Sequence, residues 1–344
     1  MEIIRKGGSE RTKGGRSVFI DKIFEQKSLN TLFLEQQECA SQYPETYAHL
    51  NNIKESLDLK TLTDIFREYA RKSGVDESIL NIPTIDNIFL LLDMTIPNAQ
   101  MTYTQSQNTI KVNVPYFDER FKDENMSDKN VEAHFLQGII HEYSHAVGVG
   151  ECIIANDVET STSVSYLLSG VSRQYNVEET TLDGTIKTKN KSLAFRMLNE
   201  GITERLSQEI LIEYLKRTEY KMPYDLKSVY ENIRHEMKTE KEGYAPIRHL
   251  LMAFTNALAI EAGVPEDVVW NGMVREYFAG ELQSSELVNL FNETFGSDFG
   301  RRLMNVQDGT DIRELALAFP KISVHYPETA KRWLDHLKIP YNAK

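Results

Sequence analysis

The sequence is short of several things, and each shortage excludes a class. Among 344 residues there are only two cysteines, Cys39 and Cys152, so no disulfide framework holds the chain and a reducing compartment is expected. Basic residues are outnumbered, 39 Lys and Arg against 51 Asp and Glu, for a formal net charge of -12. That balance argues against nucleic-acid partners and anionic membranes. Long apolar runs are missing too: the longest, near Ile88 to Leu92, falls far short of the roughly 18–20 residues a membrane span needs. Nor is there a phosphate-cradling Gly-x-x-x-x-Gly-Lys or a dinucleotide Gly-x-Gly-x-x-Gly. The basic, glycine-rich start is not followed by an apolar stretch of signal-peptide length. A cytoplasmic protein is expected, or one exported by a leaderless route.

What is present reads as an α+β protein. Residues 1–16 read as a flexible tail and 17–99 as a helical N-terminal segment. Within the latter, apolar residues recur at three- and four-residue intervals from Ile20 to about Leu57 and from Leu59 to Ser73. Two short strands follow, Met101 to Thr104 and a second beginning at Thr109, with Gln105 to Asn108 as the turn. A helix then runs from a cap at Ser127 or Asp128 to about Gly148. Val171 to Val177 and Thr185 to Thr188 flank an Asp183-Gly184 turn and predict a second hairpin. From Ser192 onward the pattern is almost wholly helical. Residues 100–220 form the expected catalytic core and 221–344 a helical C-terminal subdomain. Met252, Phe254, Trp270, Met273 and Phe278 recur there at helical spacing, as core residues do.

The chemistry concentrates at His141-Glu-Tyr-Ser-His145. Residues i and i+4 of a helix share a face with Cβ atoms about 5–6 Å apart, so both imidazoles can reach one Zn²⁺. Glu142 points about 100° round the helix, where its carboxylate can touch an activated water without ligating the metal. This is what metal-assisted hydrolysis needs from a general base. His134, two turns earlier, is too far to share the ion.

A catalytic zinc needs a third protein ligand and an open position, and two residues compete for it. Glu151 lies six residues after His145, at the spacing where metzincins carry a third ligand. Metzincins carry histidine or aspartate there, however, and their methionine turn is not evident. Glu200 lies in Leu198-Asn-Glu-Gly-Ile-Thr-Glu204, where Leu198, Ile202, Leu206 and Ile210 form an apolar stripe. Glu200, Thr203, Glu204 and Ser207 share the other face. Beside a two-histidine site the acids take separate roles, Glu200 on the metal and Glu204 accepting the Nδ1 hydrogen of a ligand histidine.

His-Glu-x-x-His followed on a later helix by Asn-Glu-Gly-x-Thr-Glu resembles the gluzincin zinc metallopeptidases, the class that includes thermolysin. The resemblance covers about residues 100–215. It implies a mostly helical zincin fold with a small β-sheet before the His-Glu-x-x-His helix. It implies one Zn²⁺ on His141, His145 and Glu200, with Glu142 as general base, Glu204 supporting His141, and Asn199 orienting the second helix or its ligand. The gap between His145 and Glu200 is longer than in compact gluzincins. The resemblance further implies a peptide or protein substrate held on an edge strand, for which Thr109 to Val114 is placed, with Asn113 as backbone anchor. An oxyanion donor is expected from Tyr244, His249, His325 or Tyr326, although His249, among Ile247, Leu250 and Leu251, also fits a packed helix residue. Hydrolysis of another amide and a non-catalytic zinc-binding interaction protein are the rival readings. Cys39 and Cys152, outside any Cys-x-x-Cys spacing, are expected to be inert.

Overall fold

The computed structural model describes residues 17–18, 22–80, 82–92, 100–104, 108–124, 127–148, 150–157, 162–180, 186–218, 245–280, 284–295 and 299–306, together with Arg332, Asp335 and Leu337. The tail at 1–16 lies outside the described residues. Strand β1 (Ser17–Val18) precedes three helices, α1 (Lys22–Gln42), α2 (Pro44–Glu55) and α3 (Leu59–Lys72). The periodic stretch expected to run on to Leu57 is broken at Pro44, which opens α2 at a position where a missing N–H costs nothing. The same proline drives Tyr43 out of helical geometry, to φ -128 and ψ 58. Asp58 caps α3 by accepting the Thr61 N–H at 3.0 Å. Leu62, Ile65, Phe66 and Ala70 of α3 are buried.

The segment 17–99 is not all helix. Besides β1 it contains β2 (Ile88–Leu91), which joins β3 (Met101–Thr104) and β4 (Thr109–Asn113) in a sheet of order β2-β4-β3. β2 runs parallel to β4, and β3 antiparallel to it. All four β2 residues are buried. Ile88 and Leu90 face the main core, while Phe89 and Leu91 join Leu32 of α1 on the other side. A strand covered on both faces reads as an unbroken apolar run with no period to betray it. The two strands expected around residue 105 are present, and 105–107 of their turn lie outside the described residues. Asn113 ends β4 and caps α4 (Val114–Phe121).

Helix α5 (Asp128–Val147) begins at the expected cap, Ser127 accepting the Asn130 N–H. It lies close on β3: a Cβ on Gly138 would stand 2.8 Å from the Met101 sulfur. The expected hairpin is part of a larger antiparallel sheet, β5 (Gly150–Asp157), β6 (Thr162–Ser169), β7 (Ser172–Thr180) and β8 (Ile186–Ala194). β1 adds in parallel to β5, giving the order β1-β5-β6-β7-β8. The Asp183-Gly184 turn and Thr185 lie outside the described residues.

Helices α6 (Arg196–Arg217), α7 (Ala245–Ala262), α8 (Glu266–Ala279), α9 (Ser284–Phe295) and α10 (Phe299–Asn305) complete the described chain. Phe254, Trp270, Met273 and Phe278 are core, as expected, whereas Met252 is 46% exposed. Arg205 of α6 stacks its guanidinium 4.0 Å from the Trp270 ring centroid and pairs with Glu266 at the start of α8. Helices beside one mixed sheet and one mainly antiparallel sheet make this an α+β structure. Among the described residues no helix is long and apolar enough to cross a membrane.

Candidate metal centre

The centre forms where α5 crosses α6. Four-residue spacing puts His141 and His145 on one face of α5, their ring centroids 4.9 Å apart. From α6, Glu200 brings Oε2 to 3.1 Å from His145 Nε2 and 3.6 Å from His141 Nε2. The three ligand atoms lie within 4.8 Å of one another, the described residues' one group of this kind. With bonds of about 2.0–2.1 Å, the donors around a tetrahedral zinc stand about 3.3 Å apart. The two carboxylate–imidazole distances bracket that value, and the N, N, O donor set suits the ion.

Charge favours a cation here. Burial alone would lower His141, but its hydrogen bonds to Glu200 and Glu204 outweigh this and raise it well above the usual histidine range. Burial likewise opposes ionisation of Glu200, yet the neighbouring imidazoles hold it far below the usual carboxylate range. A field that draws positive charge onto imidazole between buried carboxylates also draws a divalent ion. Glu142 responds differently. Burial pushes its carboxyl up, against the pull of both histidines and of the Tyr103 backbone N–H, which hydrogen-bonds it.

Each imidazole has its own support. Glu204 meets His141 Nδ1 at 3.0 Å. It also accepts a hydrogen bond from the Gln208 amide, and Gln208 Oε1 accepts one from Arg248 at 2.8 Å. Arg248 is only 3% exposed. His145 Nδ1 instead faces the Thr203 hydroxyl at 3.4 Å, and Thr203 lies 3.0 Å from the Tyr277 hydroxyl. The acids read from sequence as one polar face of α6 are thus buried among partners.

Of the other residues singled out in the sequence, Asn199 has a visible task. Its Oδ1 accepts the Val171 N–H at 3.0 Å, tying the β6–β7 turn to α6. Asn113 does not serve as a substrate anchor on an edge strand, because β4 is the central strand and the Asn113 side chain caps α4. The edge beside α5 is β3. Glu151 lies on β5, paired with Leu168 across the ladder and with Ser17. His249 is exposed on α7 rather than packed within it. Tyr244, His325 and Tyr326 lie outside the described residues. Cys39 is buried and burial pushes its thiol up to about 12, which suits an inert packing role. Cys152 lies on β5.

Sequence reasoning missed Thr203 as a partner of His145, and also Tyr103, Gln208, Arg248 and Tyr277. Arg248 had a signal, since an arginine inside the apolar run Ile247-Arg-His-Leu-Leu251 must find a buried partner. Tyr277 had none, because a tyrosine between apolar neighbours reads as core. No family model matches this chain, and searches of curated proteins and of solved structures returned no match either.

Proposed function

We propose that the protein is a zinc-dependent hydrolase of peptide bonds, of the gluzincin type. The observation that carries this reading is the convergence of His141, His145 and Glu200 within 4.8 Å, with Glu142 beside them and outside the ligand set. Zinc held there supplies Lewis-acid polarisation and water activation near neutral pH. A purely structural site would gain nothing from a buried, non-ligating carboxylate next to its ligands.

The chain's own residues supply the rest. Glu142, raised by burial toward the working range of a general base, takes a proton from water and passes it to the leaving amine. The Tyr103 N–H that hydrogen-bonds Glu142 points away from β4, which aims the outer edge of β3 at the site. In an antiparallel strand the N–H and C=O of one residue point the same way. On this reading the Tyr103 carbonyl accepts from an extended peptide laid along β3, a task assigned from sequence to the next strand.

The test uses the full chain. Purified protein should carry about one zinc, lost in His141→Ala and Glu200→Ala. Glu142→Gln should keep the zinc and lose hydrolysis of an unbiased peptide library by about 10²-fold or more. A Glu142→Gln variant as active as the parent, or zinc that survives Glu200→Ala, would sink this reading.

A further inference from the structure

The two hydroxyls beside His145 have a stricter logic than packing. This inference rests on the zinc reading. A histidine that ligates through Nε2 carries its proton on Nδ1 and needs an acceptor there to fix tautomer and ring plane. The atom facing His145 Nδ1 is Thr203 Oγ1, at 3.4 Å. A hydroxyl can accept there while its own proton goes elsewhere, and two acceptors stand ready, the Asn199 carbonyl at 2.9 Å and the Tyr277 oxygen at 3.0 Å. The Tyr277 hydroxyl donates its own hydrogen to the Ser144 carbonyl at 2.7 Å. It therefore turns lone pairs toward Thr203. Both residues are fully buried, and neither is a member of the ligand set.

The surroundings of Tyr277 are built to admit its ring. A Cβ on Gly148, just past α5, would lie 2.9 Å from ring carbons of Tyr277, and one on Gly170 would lie 2.6 Å away. Gly170 has φ +54, and Asn199 holds the residue after it. Two glycines from different elements thus open a slot between the end of the histidine helix and the β6–β7 turn. The slot seats a phenol that α8 delivers.

The geometry points to Tyr277 as a positioning residue for His145, acting through Thr203. Its hydroxyl orients the Thr203 hydroxyl as an acceptor, which holds the Nδ1–H tautomer and aims Nε2 at the metal. Tyr277→Phe and Thr203→Val should each weaken zinc about tenfold in competition with a chromophoric chelator, and Thr203→Ser should restore the parent affinity. The double variant should be no weaker than Thr203→Val alone, because one pathway cannot be cut twice. In a metal-free Glu200→Ala background, where no carboxylate faces Nε2 at 3.1 Å, nitrogen–proton correlation spectra of the imidazoles should show His145 in the Nδ1–H form when Thr203 and Tyr277 are intact. Tyr277→Phe and Thr203→Val should show a mixture of tautomers. Additive losses in the double variant, or an unaltered tautomer in Tyr277→Phe, would overturn the proposal. Parent protein that takes no zinc would defeat the metal reading separately, and the metal-free spectra would still decide whether Tyr277 positions His145.

Discussion

The two histidines sit one turn apart on the same helix, yet their supports are of opposite kinds. His141 leans on a charged chain, Glu204 to Gln208 to Arg248, and His145 on a neutral one, Thr203 to Tyr277 to the Ser144 carbonyl. A carboxylate raises the basicity of its imidazole, whereas a hydroxyl chiefly sets direction. Burial opposes the Glu204 charge, but His141, Arg248 and Gln208 outweigh it and hold the carboxyl below its usual range. With a second carboxylate, Glu200, already facing both imidazoles, a hydroxyl behind His145 spares the centre a further buried negative charge.

Breaking the charged side should cost most. Glu204→Ala strips a buried carboxylate from His141 Nδ1 and from the Gln208 amide, and removing one partner of a buried charged pair costs about 3–5 kcal/mol. Chemical denaturation should show that loss, with little of it recovered by adding zinc. Next in size is the glycine slot. Gly170→Ala places a side chain against Tyr277 and Asn199 at a positive φ, and overpacking plus backbone strain should cost about 2–4 kcal/mol. Tyr277→Phe removes one hydroxyl and leaves its partners short of a bond, for about 1–2 kcal/mol. A Tyr277→Phe loss as large as that of Glu204→Ala would erase the distinction between the two supports.

The smallest effect should come from pH. Glu266 at the start of α8 pairs with Arg205 of α6 and so braces the helix that carries Tyr277. Burial raises its pKa, but the hydrogen bonds from Arg205 and Thr255 prevail and hold it below the usual value. A carboxyl depressed in the folded state stabilises above its unfolded pKa of about 4.3 and loses that contribution as pH falls through the folded value. A shallow fall in melting temperature below about pH 4 should accordingly be missing from Glu266→Gln.

How legible the molecule was depended on separation along the chain. His141, Glu142 and His145 stand within five consecutive residues, and a helix converts that spacing directly into geometry. Glu204 followed from Glu200 by one helical turn. The β2 strand escaped because burial on both faces erased its alternation. What lies behind Glu204 and Thr203 on α6, namely Gln208, Arg248 and Tyr277, was not legible because amphipathic spacing cannot distinguish water from a second layer of polar partners. Asn113 failed on topology: the sequence placed a strand before the helix correctly, but strand order is settled by pairing with β2, which itself had not been recognised. Tyr277 was out of reach because its meaning comes from Gly148, Gly170, Thr203 and Ser144, four positions scattered over three other elements.

The glycine slot also sets an order in time. During synthesis the N-terminal parts emerge and fold first. His141, His145, Glu200 and even Glu204 leave the ribosome while α8 is still unmade. A growing chain can therefore offer every candidate metal ligand before it can lock one of them, and on the proposed reading Tyr277, arriving late, would act as the latch that turns loose capture into a finished centre.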